Sequence, residues 1–95
     1  MTPEMKLKQY IPGGAHTYSR GDDQFSANTP GILSHGKGYN VYDLNNTKYL
    51  DYGMGLRSVG IGYSEPLINQ AAVLGLEFGN NLTRPTIIEA EAAEL

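Results

Sequence analysis

Tyr39-Asn40-Val41-Tyr42-Asp43-Leu44-Asn45-Asn46-Thr47-Lys48-Tyr49-Leu50-Asp51-Tyr52 is the stretch that decides the fold. Two runs of aromatic and β-branched residues flank a pair of asparagines, the pattern of a β-hairpin. Asn tolerates positive φ better than any residue except Gly, so Asn45-Asn46 is read as a two-residue type I′ turn. That turn sets Asp43 opposite Lys48, Tyr42 opposite Tyr49 and Val41 opposite Leu50. The three pairs are one of opposite charge, one aromatic and one aliphatic, worth roughly 0.2 to 1 kcal/mol each. A lone hairpin is marginal in water, so Ile32 to His35 is expected to add a third antiparallel strand.

Upstream, Thr2 is placed to cap a short helix with Pro3 at its first position, and Pro12-Gly13-Gly14 stops it. A polar stretch from His16 to Asn28 and the pair Pro30-Gly31 separate that helix from the sheet. Downstream, Gly53 to Gly62 holds four glycines in ten residues, too many for a regular element, and is expected to be an irregular loop. Ser64 is placed to cap a helix with Pro66 in its first turn. Leu67, Ile68, Ala71, Ala72, Gly75 and Phe78 then recur at helical spacing, up to a stop near Gly79-Asn80. Thr86 and Glu89 form a Thr-x-x-Glu capping box that opens a last helix through Ile87, Ile88, Ala92 and Leu95. The expected organisation is α+β in three segments: 1–30, helix and loop; 31–63, small sheet and glycine-rich loop; 64–95, two helices. No helix-stopping Gly, basic last turn or polar tail closes that last helix, so the chain is expected to continue into a longer protein.

Composition narrows the function classes. With 95 residues the chain is at most one small domain. The absence of cysteine removes disulfides, thiolate zinc sites and thiol nucleophiles, and fits a reducing cytoplasm. Apolar residues make up 40%, but their runs are too short to span a bilayer. A net charge of -3, with basic residues scattered along the chain, offers no basic stripe for nucleic acid. The first eight residues carry no apolar run of the kind a secretory leader needs.

Gly31-Ile32-Leu33-Ser34-His35-Gly36-Lys37 imitates a phosphate-binding loop. The next residue is Gly38 rather than Ser or Thr, and strand sequence follows where a helix N-terminus is required, so the stretch is read as strand and turn. His16 and His35 have no second ligand at metal-binding spacing. Asp51 is read as a turn or edge residue. Arg20 lies in Pro12-Gly13-Gly14-Ala15-His16-Thr17-Tyr18-Ser19-Arg20-Gly21, where a guanidinium fork among hydroxyls can grip a planar carboxylate; composition alone reads it as a surface arginine. Seven tyrosines without an intact catalytic set also suit a self-contained binding module built on the hairpin.

Taken in order, Ile11-Pro12-Gly13-Gly14 with Arg20, Gly36-Lys37-Gly38 with Tyr42-Asp43, Tyr49-Leu50-Asp51-Tyr52, and Gly60-Ile61-Gly62 with Pro66 resemble the N-terminal segment of class III, pyridoxal-phosphate-dependent aminotransferases. Within them the glutamate-1-semialdehyde 2,1-aminomutase branch is the nearest. The resemblance implies an α/β enzyme of fold type I, acting as a homodimer on a small amino or keto substrate with a carboxylate. It implies that Arg20 holds that carboxylate, that Thr17 stands where the aminomutases have a serine, and that Gly55 and Leu56 line the pocket in place of a Ser-Trp pair. The His-x-His-Pro of the family is here Tyr63-Ser64-Glu65-Pro66, and its Asp-Gly hairpin turn is Asn45-Asn46. The cofactor-bearing lysine is expected outside this chain, so no residue here is assigned a catalytic role.

Overall fold

A computed structural model describes residues 1–95. It falls into two units, Met1–Tyr63 and Ser64–Leu95. In the first, Thr2 Oγ1 accepts the Met5 amide at 3.2 Å and opens helix α1 (Pro3–Tyr10), which ends where the Ile11 amide bonds to the Leu7 carbonyl. The Pro-Gly-Gly stop is as expected. Three single 3-10 turns follow, at Pro12–Gly14, Tyr18–Arg20 and Asp22–Gln24. Lys8 Nζ lies 2.7 Å from Asp22 Oδ2 and ties α1 to the last of them. Both side chains are exposed, so solvent screens the attraction and the tie is weak.

The hairpin and its third strand form as read: β1 (Leu33–Lys37), β2 (Asn40–Asp43) and β3 (Lys48–Leu50) make one antiparallel sheet in the order β1-β2-β3. The strand over 33–37 also bears out the strand reading of the Gly31–Lys37 stretch. The register differs from the expected one by a single residue. Val41 faces Tyr49, Tyr42 faces Lys48 and Asn40 faces Leu50, instead of Asp43 with Lys48, Tyr42 with Tyr49 and Val41 with Leu50. The cause is the Asp43 carboxylate, whose Oδ1 accepts the amides of Asn45 and Thr47, both at 2.9 Å. This side chain rewards a three-residue loop. The Asn46 amide bonds to the Asp43 carbonyl, Asn46 itself turns left-handed at φ 63°, and the Asp43 amide bonds to the Thr47 carbonyl. A type I turn followed by one left-handed residue has replaced the two-residue turn.

A slip of one residue exchanges the faces of a strand. Val41, Tyr49 and Asp43 now share one face, where the Tyr49 hydroxyl donates to Asp43 Oδ2 at 2.9 Å. Val41, 7% exposed, is the only buried hydrophobic side chain. Its partner on β1 is Gly36. A Cβ at Gly36 would stand 2.6 Å from Cγ of Tyr63, so the tyrosine ring occupies the side-chain space that the glycine leaves open. On the other face His35 stacks on Tyr42, with centroids 4.5 Å apart.

The second unit is two helices. α3 (Pro66–Leu76) is capped by Glu65, whose Oε2 accepts the Ile68 amide at 3.0 Å. Ser64, the expected cap, has φ 55°, while a cap residue needs the extended backbone that Glu65 adopts. The helix stops at Leu76, short of the Gly79-Asn80 end read from the sequence. α4 (Ile87–Glu94) begins at Thr86 as expected, with the Glu89 carboxylate reaching back to the Thr86 amide at 2.9 Å. Neither helix buries a residue, and Leu67 is 74% and Phe78 78% exposed.

The turn yields two predictions. Asn46→Gly is tolerated, whereas Asn46→Val costs about 1–2 kcal/mol, because a β-branched side chain is strained at this φ; chemical denaturation measures both. The Thr47 amide, helped by the Tyr49 hydroxyl and opposed by partial desolvation, holds the Asp43 carboxyl below the ordinary 3.8. A depressed carboxyl stabilises above its unfolded pKa and ceases to do so as pH falls through the lower folded value. Amide exchange at Thr47 is therefore slow at pH 5 and accelerates only once pH falls below 3.8, and Asp43→Asn removes this pH dependence.

Candidate functional site

The glycine-rich stretch is more ordered than its composition suggests. As the chain leaves β3, the Asp51 amide bonds to the Tyr39 carbonyl, and its carboxylate turns back onto the next residues. Oδ1 accepts the Gly53 amide at 2.9 Å and Oδ2 the Met54 amide at 3.2 Å. This carboxylate starts α2 (Met54–Arg57), a single helical turn where an irregular loop was expected. The turn is left-handed, with φ of 50° at Met54, 58° at Gly55, 60° at Leu56 and 76° at Arg57. Gly55 adopts this backbone freely; the other three carry a Cβ that opposes it. Asp51, the Ser58 hydroxyl donating to the Gly55 carbonyl at 2.7 Å, and the Arg57 amide on the Gly53 carbonyl oppose that cost.

Tyr63 completes the arrangement. Its amide and carbonyl both bond to Gly38, each at 2.8 Å, which seats its backbone against the end of β1. Its hydroxyl donates to Asp51 Oδ2 at 2.5 Å and accepts the Gly55 amide at 2.9 Å. The hydrogen bond to Asp51, with partial burial second, raises the phenol above its ordinary 10.0. The Gly55 amide and the positive charge of Arg20 act in the opposite direction. Arg20 therefore lies within electrostatic range of the phenol that holds Gly55. Gly38, Asp51, Met54, Val59 and Tyr63 wall a hollow of about 230 Å³.

Arg20 closes the Tyr18–Arg20 turn with its side chain exposed. Nη1 donates to Thr17 Oγ1 across a long 3.5 Å, and the guanidinium makes no ion pair, since Lys8 with Asp22 is the only one in the chain. Thr17 borders a half-open cleft of about 450 Å³ together with His16, Tyr18 and Asp22. The structure thus brings Thr17 to Arg20 and ties Gly55 to Tyr63. Leu56, the next residue in the left-handed turn, is 44% exposed. His16 is exposed, and His35 is engaged with Tyr42 and with Ser34 Oγ, 3.0 Å from Nδ1.

Sequence reasoning did not identify Tyr63 as part of this site. The signals were present: an acid two residues before Gly53 is an Asx-turn pattern, and a lone Tyr after Gly60-Ile61-Gly62 ends the stretch. Chemically, the arrangement offers an unpaired guanidinium beside a hydroxyl, a good grip for an anion with two oxygens. The Thr17 hydroxyl has only Arg20 as a hydrogen-bond partner and no base beside it, while Ser34 Oγ lies 3.0 Å from His35 Nδ1 within β1. All four lysines, Lys6, Lys8, Lys37 and Lys48, are exposed.

No protein-family profile matches the chain, but curated proteins do. Glutamate-1-semialdehyde 2,1-aminomutase 1 of Listeria welshimeri is 34% identical over 94 residues, covering 95% of this chain and 21% of its own length. The aminomutase of Syntrophomonas wolfei is 32% identical over 92 residues with the same coverage. Among solved structures, the Sphingopyxis sp. MTA144 FumI protein in its PLP internal aldimine form matches 96% of this chain and 22% of its own, with a TM-score of 0.82 at 23% identity. An omega-transaminase from Sphaerobacter thermophilus matches 87% of this chain and 18% of its own, with a TM-score of 0.72 at 24% identity. The resemblance read from the motifs is borne out, and the chain has the fold of the corresponding part of these fold type I transaminases. It spans about a fifth of the length of the curated relatives it matches.

The raised Tyr63 pKa has a definite sign. A group whose folded pKa lies above its unfolded value stabilises fully below the unfolded value and loses that contribution as pH rises through the folded one. The Asp51–Tyr63 bond is therefore intact throughout neutral pH and yields only above 10.0. A difference titration of tyrosine absorbance between wild type and Tyr63→Phe is expected to show one phenol ionising above the ordinary 10.0.

Proposed function

We propose that these residues are the N-terminal part of a pyridoxal-phosphate-dependent aminotransferase or aminomutase, and that their task in it is to hold the substrate carboxylate. Segments 1–30, 31–63 and 64–95 are read as the substrate loop, the small sheet with the pocket turn, and the helices leading to a large cofactor domain. The reading carries with it a homodimer in the cytoplasm. The observation that carries the functional assignment is Arg20: a guanidinium exposed on a short turn, hydrogen-bonded only to Thr17 and free of any carboxylate partner. A carboxylate clamp needs a guanidinium that no ion pair engages and a hydroxyl beside it, and Arg20 has both, with Asp22 and Asp23 lining the adjacent cleft.

The residues of this chain do not seat the cofactor. Lys8 is ion-paired to Asp22, the other lysines are exposed on α1, β1 and β3, and none stands in a pocket beside an acid that could meet a pyridine nitrogen. When bound by the remaining polypeptide the cofactor supplies an aldehyde carbon and an electron sink. This chain's part is positional: Arg20 fixes the carboxylate in two parallel hydrogen bonds, and Thr17 steadies the guanidinium. Gly55 and Leu56 shape the wall beside the reacting end, so that the amine is presented in one orientation. With Gly and Leu in place of the Ser-Trp pair of the aminomutases, the wall loses a hydroxyl and an indole. That change favours an amino or keto acid other than glutamate 1-semialdehyde.

The self-contained binding module is the weaker alternative. Its hairpin buries one hydrophobic side chain, Val41, too little to order a domain unaided.

The full-length protein, supplied with pyridoxal 5′-phosphate and assayed with amines that do and do not carry a carboxylate, is expected to prefer the carboxylates. In Arg20→Ala, KM for the preferred substrate rises about 10- to 100-fold, the value of one or two charge-assisted hydrogen bonds, while cofactor binding is unchanged. An equal loss of bound cofactor would give Arg20 a different role.

A further inference from the structure

The turn Met54–Arg57 is the most strained segment of the chain: four successive residues at positive φ, three of them with side chains. L-residues rarely run this way consecutively, and such a conformation persists only where its surroundings over-determine it. Most of its supports lie within residues 51–59 and move with it: the Asp51 carboxylate on Gly53 and Met54, the Ser58 hydroxyl on Gly55, and the main-chain bonds Arg57 to Gly53 and Val59 to Met54. Tyr63 differs from these. Its backbone is paired to Gly38 at the end of β1, its ring fills the space above Gly36, and its hydroxyl reaches both Asp51 Oδ2 and the Gly55 amide. It is the strut between sheet and turn.

We propose that Tyr63 is a positioning residue for substrate recognition: through the Gly55 amide and Asp51 it fixes the left-handed turn so that Gly55 and Leu56 form a pre-set pocket wall. The proposal rests on the reading of Gly55 and Leu56 as pocket residues. Its physical content is preorganisation. Without the strut the turn relaxes toward right-handed or extended backbone, and binding must restore the wall at the expense of affinity.

The test uses the full-length holoenzyme. Tyr63→Phe keeps the ring over Gly36 and removes only the hydroxyl. KM for the carboxylate substrate is expected to rise about five- to tenfold, the value of a single hydrogen bond, with kcat changed less than about twofold and cofactor occupancy unaltered. Trypsin cleavage after Arg57 is expected to quicken as the turn opens. Asp51→Asn, acting at the other end of the strut, shifts both readouts in the same direction and serves if the first variant folds poorly. Adding Met54→Gly to Tyr63→Phe recovers most of both effects, because glycine enters the left-handed region without a Cβ penalty. A residue that merely stabilised the fold would lower the melting temperature with KM unmoved, and glycine would not rescue it. Unchanged KM together with unchanged cleavage at Arg57, or a defect that Met54→Gly does not reduce, overturns the proposal. If the wild-type holoenzyme transfers no amino group at all, the functional reading fails, while the trypsin comparison still reports whether Tyr63 holds the turn.

Discussion

The hydrogen bond from the Tyr63 hydroxyl to Asp51 Oδ2 is the constraint on which the first unit depends. Asp51 is where the chain leaves the sheet, and Tyr63 is where it returns to lie along Gly38. The eleven residues between them hold four glycines, and such sequence loses more backbone entropy on ordering than any other. A hydrogen bond between two side chains anchored at its ends closes the loop. The same carboxylate also bonds the first amides of the left-handed turn. The acid therefore serves three donors, a satisfied arrangement that does not depend on deep burial.

Hydrogen bonding of this kind matters because the apolar core is so small. With Val41 alone below the surface, local polar ties define the conformation: Thr2 on Met5, Asp43 on its own turn, Glu65 on Ile68 and Glu89 on Thr86. The helices of the second unit leave every large apolar side chain exposed. Their caps hold them as helices; nothing within the unit covers them. The transaminases with matching folds are about five times as long, and in proteins of that size faces of this kind have the rest of a domain to pack against.

The functional reading follows from where charge is left uncompensated. Lys8 is answered by Asp22, and Asp43 and Asp51 are consumed by their turns. Arg20 has no ion-pair partner, as Lys6, Lys37, Lys48, Arg57 and Arg84 have none, and differs from them in the hydroxyl alongside and the tyrosine-braced turn within electrostatic range. Strain and an unpaired cation occur in the same unit, and strained backbone concentrates where recognition is performed.

The sequence by itself determined what is local. Thr2-Pro3 and Thr86-x-x-Glu89 marked two helix starts, Pro12-Gly13-Gly14 a stop, and the aromatic alternation around Asn45-Asn46 a hairpin, because each signal acts within a few residues along the chain. The ordered motifs also carried the family resemblance, including Arg20. What the sequence left open needed atoms distant along the chain. A turn side chain, Asp43, set the hairpin register, and choosing between a two- and a three-residue loop required knowing which amides its carboxylate meets. The left-handed turn Met54–Arg57 is met by a tyrosine six residues past its end, whose ring lies against a glycine of the first strand. Three Cβ-bearing residues at positive φ contradict their own local preference, and the hydrogen bonds of Asp51, Ser58 and the more distant Tyr63 together oppose that cost.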